Sequence, residues 1–217
     1  MQISIKNISK EYKGRFVLSG ASLSIEAGDF VAIMGKSGSG KSTLLQLIGG
    51  LDKPTAGEVL VAGKDISKLS DAKLSLLRNR FFGFVFQSFY LQPYLTVRQN
   101  ISAACFPQKL SDEEISKRVD EVAEIVGLTN RLDAQAKTLS GGEAQRVAIA
   151  RTVATKPQVL LADEPTGNLD SKNSERIVQL LEKINQDGTT VIIVTHDQDI
   201  AKRAKRTIKL VDGEIDA

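Results

Sequence analysis

Hydrophobic positions in the first thirty residues follow a strand period. Ile3 and Ile5 alternate with polar neighbours, as do Leu23 and Ile25, and this predicts short strands with one apolar face each. After Ala27-Gly28-Asp29 the pattern changes, because Phe30-Val31-Ala32-Ile33-Met34 is apolar throughout, as a strand buried on both faces must be. A glycine-rich loop then leads into a predicted helix over 42–51, stopped by Gly49, Gly50 and Pro54. Residues 58–61 read as a strand, 72–80 as a helix, and 82–86 as a strand in which Phe82, Phe84 and Phe86 alternate. Ser111 and Glu114 have the spacing of a capping box. Ile115, Val119, Val122 and Val126 follow at helical intervals, with Gly127 as the stop. Ser140 and Glu143 repeat the capping pattern before a helix over 144–154. Apolar strands return at 159–162 and 190–194. Between them lies an amphipathic helix carrying Ile177, Leu180, Leu181 and Ile184, broken by Asp187-Gly188.

Strands alternating with helices predict the α/β class. The strand-rich parts are 1–87 and 156–217, with a mostly helical insertion at 88–155. The whole chain, 217 residues, has single-domain length. Charged residues at 25% and hydrophobic ones at 41% give an ordinary globular balance. The net charge of +3 offers no basis for a nucleic-acid partner, and none is expected. One cysteine, Cys105, rules out an internal disulfide and suits a reducing compartment. No apolar run approaches the ~20 residues that span a bilayer, and the N-terminus lacks the apolar core of a secretory signal.

Gly35-Lys36-Ser37-Gly38-Ser39-Gly40-Lys41-Ser42 fits G-x-x-x-x-G-K-[ST]. Glycines let the backbone curl so that several N–H groups face phosphate oxygens, and the helix that follows adds its positive end. In this pattern Lys41 reaches the β- and γ-phosphates and the Ser42 hydroxyl ligates Mg²⁺. Average residue usage gives such a match in a chain of this size by chance about 1% of the time. The run 159–162 ends in Asp163-Glu164. Ligands bind beyond the carboxyl ends of parallel strands, so Asp163 suits a magnesium role through water and Glu164 suits the polarising of an attacking water. His196, the lone histidine, follows the third buried-strand pattern, and on pattern alone a structural role is as good a reading as a functional one. Leu139-Ser140-Gly141-Gly142-Glu143 is on its own a capping box. Its two glycines also leave bare backbone for an anion, and two copies packed head to tail would grip one γ-phosphate from both sides.

Together the phosphate loop, 139–143, Asp163-Glu164 and His196 resemble the ATP-binding-cassette (ABC) ATPases, and the resemblance covers essentially the whole chain. The run 162–170 is similar to the MacB/LolD subclass, which powers lipoprotein release, macrolide export and cell-division signalling. The resemblance implies a P-loop core, a small N-terminal antiparallel β region and an inserted helical subdomain that carries the signature motif. It implies ATP and Mg²⁺. By position, Tyr12 stacks on adenine, and Gly35, Lys36, Ser37, Gly38, Ser39, Gly40, Lys41, Ser42 and Thr43 hold the nucleotide. Ser42, Gln87 and Asp163 serve the metal, while Glu164, His196 and Gln87 serve catalysis. Ser140, Gly141, Gly142 and Asp170 meet the ATP of the opposite subunit. Lys36 stands where proline or arginine is frequent and Ala144 where glutamine is frequent, and neither supplies essential chemistry.

Seven of the eleven aromatic residues lie between Phe81 and Tyr94. Phe89, Tyr90, Leu91, Pro93, Tyr94 and Leu95 have no clear period and fit either local packing or an apolar groove for another chain, of which the groove is the preferred reading. In the resembling family a membrane permease docks in this region. Lys202, Arg203, Lys205, Arg206 and Lys209 predict a solvated face. The expected protein is therefore an ATPase subunit on the cytoplasmic side of the cell membrane. It dimerises around ATP and drives a separately encoded permease in export or lipoprotein and peptide extrusion. The alternative is a mechanotransmitting ATPase that regulates an extracytoplasmic enzyme without transport. A DNA-repair or translation ATPase of the superfamily usually carries paired cassettes or long insertions, and a small-molecule kinase would leave 139–143 without purpose.

Overall fold

In the computed structural model, which describes residues 2–216, the predicted strands divide between two sheets. β1 (Ile3–Tyr12), β2 (Arg15–Ile25), β4 (Ala56–Val61) and β5 (Lys64–Asp65) form an antiparallel sheet in the order β2-β1-β4-β5. Its first strand is not evenly alternating. The pairing with β2 slips between Ile5 and Ile8, and such a bulge turns a side chain to the other face. Ile3, Ile5 and Ile8 are thus all buried.

The second sheet has the order β10-β9-β3-β8-β7-β6. β3 (Phe30–Met34), β6 (Phe82–Phe86), β7 (Val159–Asp163), β8 (Thr190–Val194) and β9 (Arg206–Val211) run parallel, and β10 (Glu214–Asp216) is the antiparallel edge. The central strands are apolar without a break because both faces are covered. Phe30, Ala32, Leu160, Ala162, Val191 and Ile193 point into one apolar layer. Val31, Ile33, Val159, Leu161, Ile192 and Val194 point into the other.

The first layer is closed by α3 (Val97–Ser102), α4 (Asp112–Ile125), α5 (Gly141–Val153), α6 (Ser171–Gln186) and α7 (Gln198–Arg203). The second is closed by α1 (Lys41–Ile48), α2 (Asp71–Phe81) and the antiparallel sheet. The boxes at Ser111–Glu114 and Ser140–Glu143 both form. The stretch 88–155 contributes helices, short 3₁₀ turns and an isolated bridge, Thr96–Gln135. Of the C-terminal basic residues, Lys202, Lys205, Arg206 and Lys209 are exposed, as a solvated face requires, and Arg203 is half-buried. Arg203 ties α7 to Glu175 and Glu182 of α6, and Arg206 donates to the Ser24 carbonyl.

Ile193 is fully buried at the centre of the first layer. Ile193→Ala is expected to lower unfolding free energy by about 2–5 kcal/mol in urea titrations. A loss well under this range would mean that the layer collapses around the vacated volume.

Candidate active site

The parallel strands end level. Phe86 pairs with Asp163, Asp163 with Val194, and Val194 with Ile33. The residues that follow, Gln87, Glu164, His196 and the 35–40 loop, therefore leave the sheet along one edge, where open α/β sheets bind ligands. The loop closes tightly at Gly40, whose φ is +98°, and a Cβ there would lie 2.7 Å from the Val17 carbonyl oxygen. Lys41 is buried, and its Nζ donates to the carbonyls of Gly35 (3.0 Å) and Lys36 (2.9 Å). The loop is thus wound around an ammonium. No side chain caps α1 at Gly40, which leaves first-turn N–H groups available to an anion. Ser39 Oγ is buried beside them without a partner.

Ser42 Oγ donates to Asp163 Oδ1 at 3.0 Å and joins the loop to β7. Burial pushes the Asp163 carboxyl above its ordinary value; the Glu164 charge adds to this, and the Ser42 hydroxyl and Lys41 ammonium oppose it. Glu164 has a φ of +47°, a costly conformation for a residue with a Cβ. It is held there by its N–H on the Val194 carbonyl (3.0 Å) and its own carbonyl on the Gly167 N–H (3.1 Å). The Glu164 carboxylate accepts His196 Nδ1–H at 2.9 and 3.0 Å. The imidazole is 72% exposed and the carboxylate side chain 18%. Lys41, Ser42, Gln87, Glu164 and His196 face a common cleft of about 640 Å³, together with Val17 of β2.

Gly35, Lys36, Ser37, Gly38, Gly40 and Thr43 line the same cleft, whereas Tyr12, Ser140, Gly141, Gly142 and Asp170 lie away from it. Ser140 caps α5: its Oγ accepts the Glu143 N–H, and the Glu143 carboxylate accepts the Ser140 N–H at 2.9 Å. Those bonds from Ser140 hold the Glu143 carboxyl below its ordinary value, aided by the Arg131 charge. A Cβ on Gly142 would fall 2.4 Å from Asn173 Oδ1. Asn173 in turn donates its N–H (2.8 Å) and Nδ2–H (2.6 Å) to Asp170, so the Ser140 tip and Asp170 share one knot. Tyr12 stands at the end of β1, with its hydroxyl on Asp52.

Sequence reasoning missed two residues. Asn168 clasps Gln87 from both ends: Gln87 Nε2 donates to Asn168 Oδ1 (3.2 Å), and Asn168 Nδ2 donates to the Gln87 carbonyl (3.1 Å). Gln145 is fully buried and donates to the carbonyls of Pro165 (2.7 Å) and Phe86 (3.3 Å). An amide on the otherwise apolar face of α5 was the available signal.

A glycine loop wound around a lysine, a serine joined to a strand-end aspartate, and a strained glutamate beside them define a P-loop nucleotide-hydrolysing protein. Residues 18–167 match the ABC transporter family model, and the chain belongs to that family. It is 45% identical over 210 residues to the lipoprotein-releasing system ATP-binding protein LolD of Aquifex aeolicus, covering 97% of this chain and 94% of that protein. It is 45% identical over 218 residues to the macrolide export ATP-binding/permease protein MacB of Bdellovibrio bacteriovorus, covering 98% of this chain and 33% of MacB. The dimeric post-hydrolysis structure of the ATP-binding cassette MJ0796, bound to ADP and Pi, superposes with a TM-score of 0.91 at 44% identity, over 99% of this chain and 97% of that one. That cassette is from Methanocaldococcus jannaschii. The chain is an ATP-binding, ATP-hydrolysing cassette of the LolD/MacB-like class, with the fold that the resemblance implied.

Glu143 offers a pH-dependent test of the α5 tip. Its folded-state pKa lies below the ordinary 4.5, so its stabilisation is present above that value and fades as pH falls through the folded value. Glu143→Gln keeps the hydrogen bonds of the box and removes the charge. It is expected to unfold up to about 1 kcal/mol more easily than wild type at neutral pH, with the gap closing in urea titrations below pH 4.5. A gap that persists in acid would assign the effect to packing.

Proposed function

We propose that two copies of this chain close head to tail around two ATP molecules and drive a membrane permease from the cytoplasmic face, in export or lipoprotein and peptide extrusion. The observation that carries this reading is the convergence of Lys41, Ser42, Gln87, Glu164 and His196 on one cleft, while the bared Ser140 helix tip of the same chain lies outside it. That tip, with Asp170, is free to meet a nucleotide held by a second copy. The dimeric MJ0796 cassette with its ADP and Pi supports the arrangement. In this reading Tyr12 stacks on adenine and 35–43 cradle the phosphates.

Lys41, already held among carbonyls, needs little rearrangement to meet the β- and γ-phosphates. Glu164 accepts a proton from the attacking water as its oxygen bonds to the γ-phosphorus. The bond from that phosphorus to the β–γ bridging oxygen breaks, and its electron pair leaves with ADP. Since His196 Nδ1–H is spent on Glu164, Nε2 is the nitrogen left to face the γ-phosphate, to which it donates when the ring carries a proton on both nitrogens. The Ser42 hydroxyl, the Asp163 carboxylate 3.0 Å from it and the Gln87 amide oxygen are the hard donors that magnesium takes. Ser42 and Gln87 would hold it directly and Asp163 through water. When bound, it neutralises charge on the phosphate oxygens.

The permease surface is the exposed apolar stretch 89–95. Tyr90 is 67% and Tyr94 74% exposed. Arg151 of α5 props the backbone beneath them by donating to the carbonyls of Tyr90 (2.6 Å) and Phe89 (3.0 Å). Among the described residues no helix is long and apolar enough to cross a membrane, and the reading assigns the spans to another chain, as the coverage of LolD supports. The lipoprotein-releasing and macrolide-export relatives favour transport over the signalling alternative.

Glu164→Gln is expected to keep ATP affinity, to lose at least about 100-fold in turnover, and to accumulate an ATP-bound dimer in size-exclusion chromatography. Wild-type turnover would remove Glu164 from the base role, and a strictly monomeric ATP-loaded variant would remove the shared site. Lys41→Ala is expected to weaken ATP binding at least about tenfold by calorimetry; an unchanged dissociation constant would contradict the cradle.

A further inference from the structure

A nucleotide base needs a flat partner that stays put. Tyr12 is the last residue of β1, followed by a turn in which Lys13 and Gly14 both have positive φ. A ring in that position would ordinarily sample several rotamers. Three observations show that it does not. Its hydroxyl donates to Asp52 Oδ2, with the Thr43 hydroxyl beside it. Asp52 Oδ1 accepts Lys10 Nζ at 2.8 Å and the Lys53 N–H at 2.7 Å. Lys10 Nζ, fixed also on the Lys53 carbonyl at 2.7 Å, stands 4.7 Å from the centroid of the Tyr12 ring. Lys10 and Tyr12 are two apart on one strand and share a face. The ammonium therefore closes one side of the ring, yet Tyr12 keeps 42% of its surface exposed.

We propose that Asp52, acting with Lys10, is a positioning residue for substrate: it locks Tyr12 with one ring face closed by an ammonium and the other presented to the base of ATP. The inference rests on the base-stacking reading of Tyr12 above. Asp52 is well placed for the task because it follows α1. The N–H groups of Leu51 and Asp52 turn back onto the Gln46 carbonyl (2.9 and 3.4 Å). The helix that starts at the phosphate cradle thus ends at the anchor of the base partner, and one rigid element of eight residues sets the distance between the two. Burial together with the Asp52 carboxylate pushes the Tyr12 phenol up to about 12, so the hydroxyl remains a donor at any working pH. A ring already immobilised loses no rotamer freedom when the base arrives, and that advantage corresponds to roughly three- to tenfold in affinity.

Asp52→Asn removes the charge that holds both Lys10 and the phenol. It is expected to raise KM for ATP roughly three- to tenfold with kcat within about twofold of wild type. In a Glu164→Gln background it is expected to weaken equilibrium ATP binding by the same factor. In a Tyr12→Leu background the same change is expected to add nothing, because there is no ring left to hold. An unchanged KM in Asp52→Asn, or an equal increase with and without the Tyr12 ring, would overturn the lock while leaving base stacking intact. A wild-type KM in Tyr12→Leu would overturn base stacking itself, and the lock with it. Should Asp52→Asn fold poorly, Tyr12→Phe decides: it keeps the ring and loses the hydroxyl bond, and an unchanged KM would refute the proposal.

Discussion

Four parallel strands that finish level are the constraint on which this molecule depends. Because β6, β7, β8 and β3 end within one residue of one another, the residues that follow each strand arrive at the same edge. The pairing is secured by burial on both faces. Leu160, Leu161, Ile192 and Ile193 have no surface in water, and a slip of one residue would send each into the opposite layer. The register that packs the core therefore also aligns the chemistry. A polar strand would have left the register loose and the site unassembled.

Within that frame the site is joined by bonds between segments. Ser42 ties the loop to β7, Glu164 ties β7 to His196 after β8, and Asn168 ties the segment after Glu164 to Gln87 after β6. Gln145 adds the helical side by placing one amide on the carbonyls of Phe86 and Pro165. Thr152, seven residues further along α5, donates to the Phe84 carbonyl. The helix that carries the Ser140 tip is thus stitched along β6, and its end is held in register with Gln87. The left-handed conformation of Glu164 fits this picture, since strain of that kind persists where the surroundings over-determine it.

Much of this was legible in the sequence. The phosphate loop, the apolar strand ending in Asp163-Glu164 and the capping boxes at Ser111 and Ser140 combine local geometry with local residue choice, and each formed close to where the pattern put it. The short elements did not announce themselves. α3 and α7 have six residues each and β5 has two, too few for a period to emerge. β9 alternates buried Ile208 and Leu210 with exposed Thr207, Lys209 and Val211, and its basic side chains hid it among residues read as a solvated face. Asp52 and Asn168 were invisible for a different reason. Their partners lie 40 and 81 positions away, and no local pattern encodes a contact that the fold creates.

The same distinction separates the cleft from the Ser140 tip that the proposed dimer would bring to it. Everything local to the sheet edge points inward: the ammonium of Lys41, the strained Glu164 and the imidazole beside it. Ser140, Gly141 and Gly142 form the N-terminal tip of the stitched helix, and Gly142 packs closely against Asn173, which donates to Asp170. The closeness of Gly142 to Asn173 leaves no room for a side chain. That fixes Gly142, which is buried, against the Asn173–Asp170 pair, while Ser140 and Gly141 at the tip stay exposed. In the proposed dimer, a helix end that is capped and faces no ligand in its own chain would meet a surface supplied by the second copy, a triphosphate whose γ end the first chain holds from the other side.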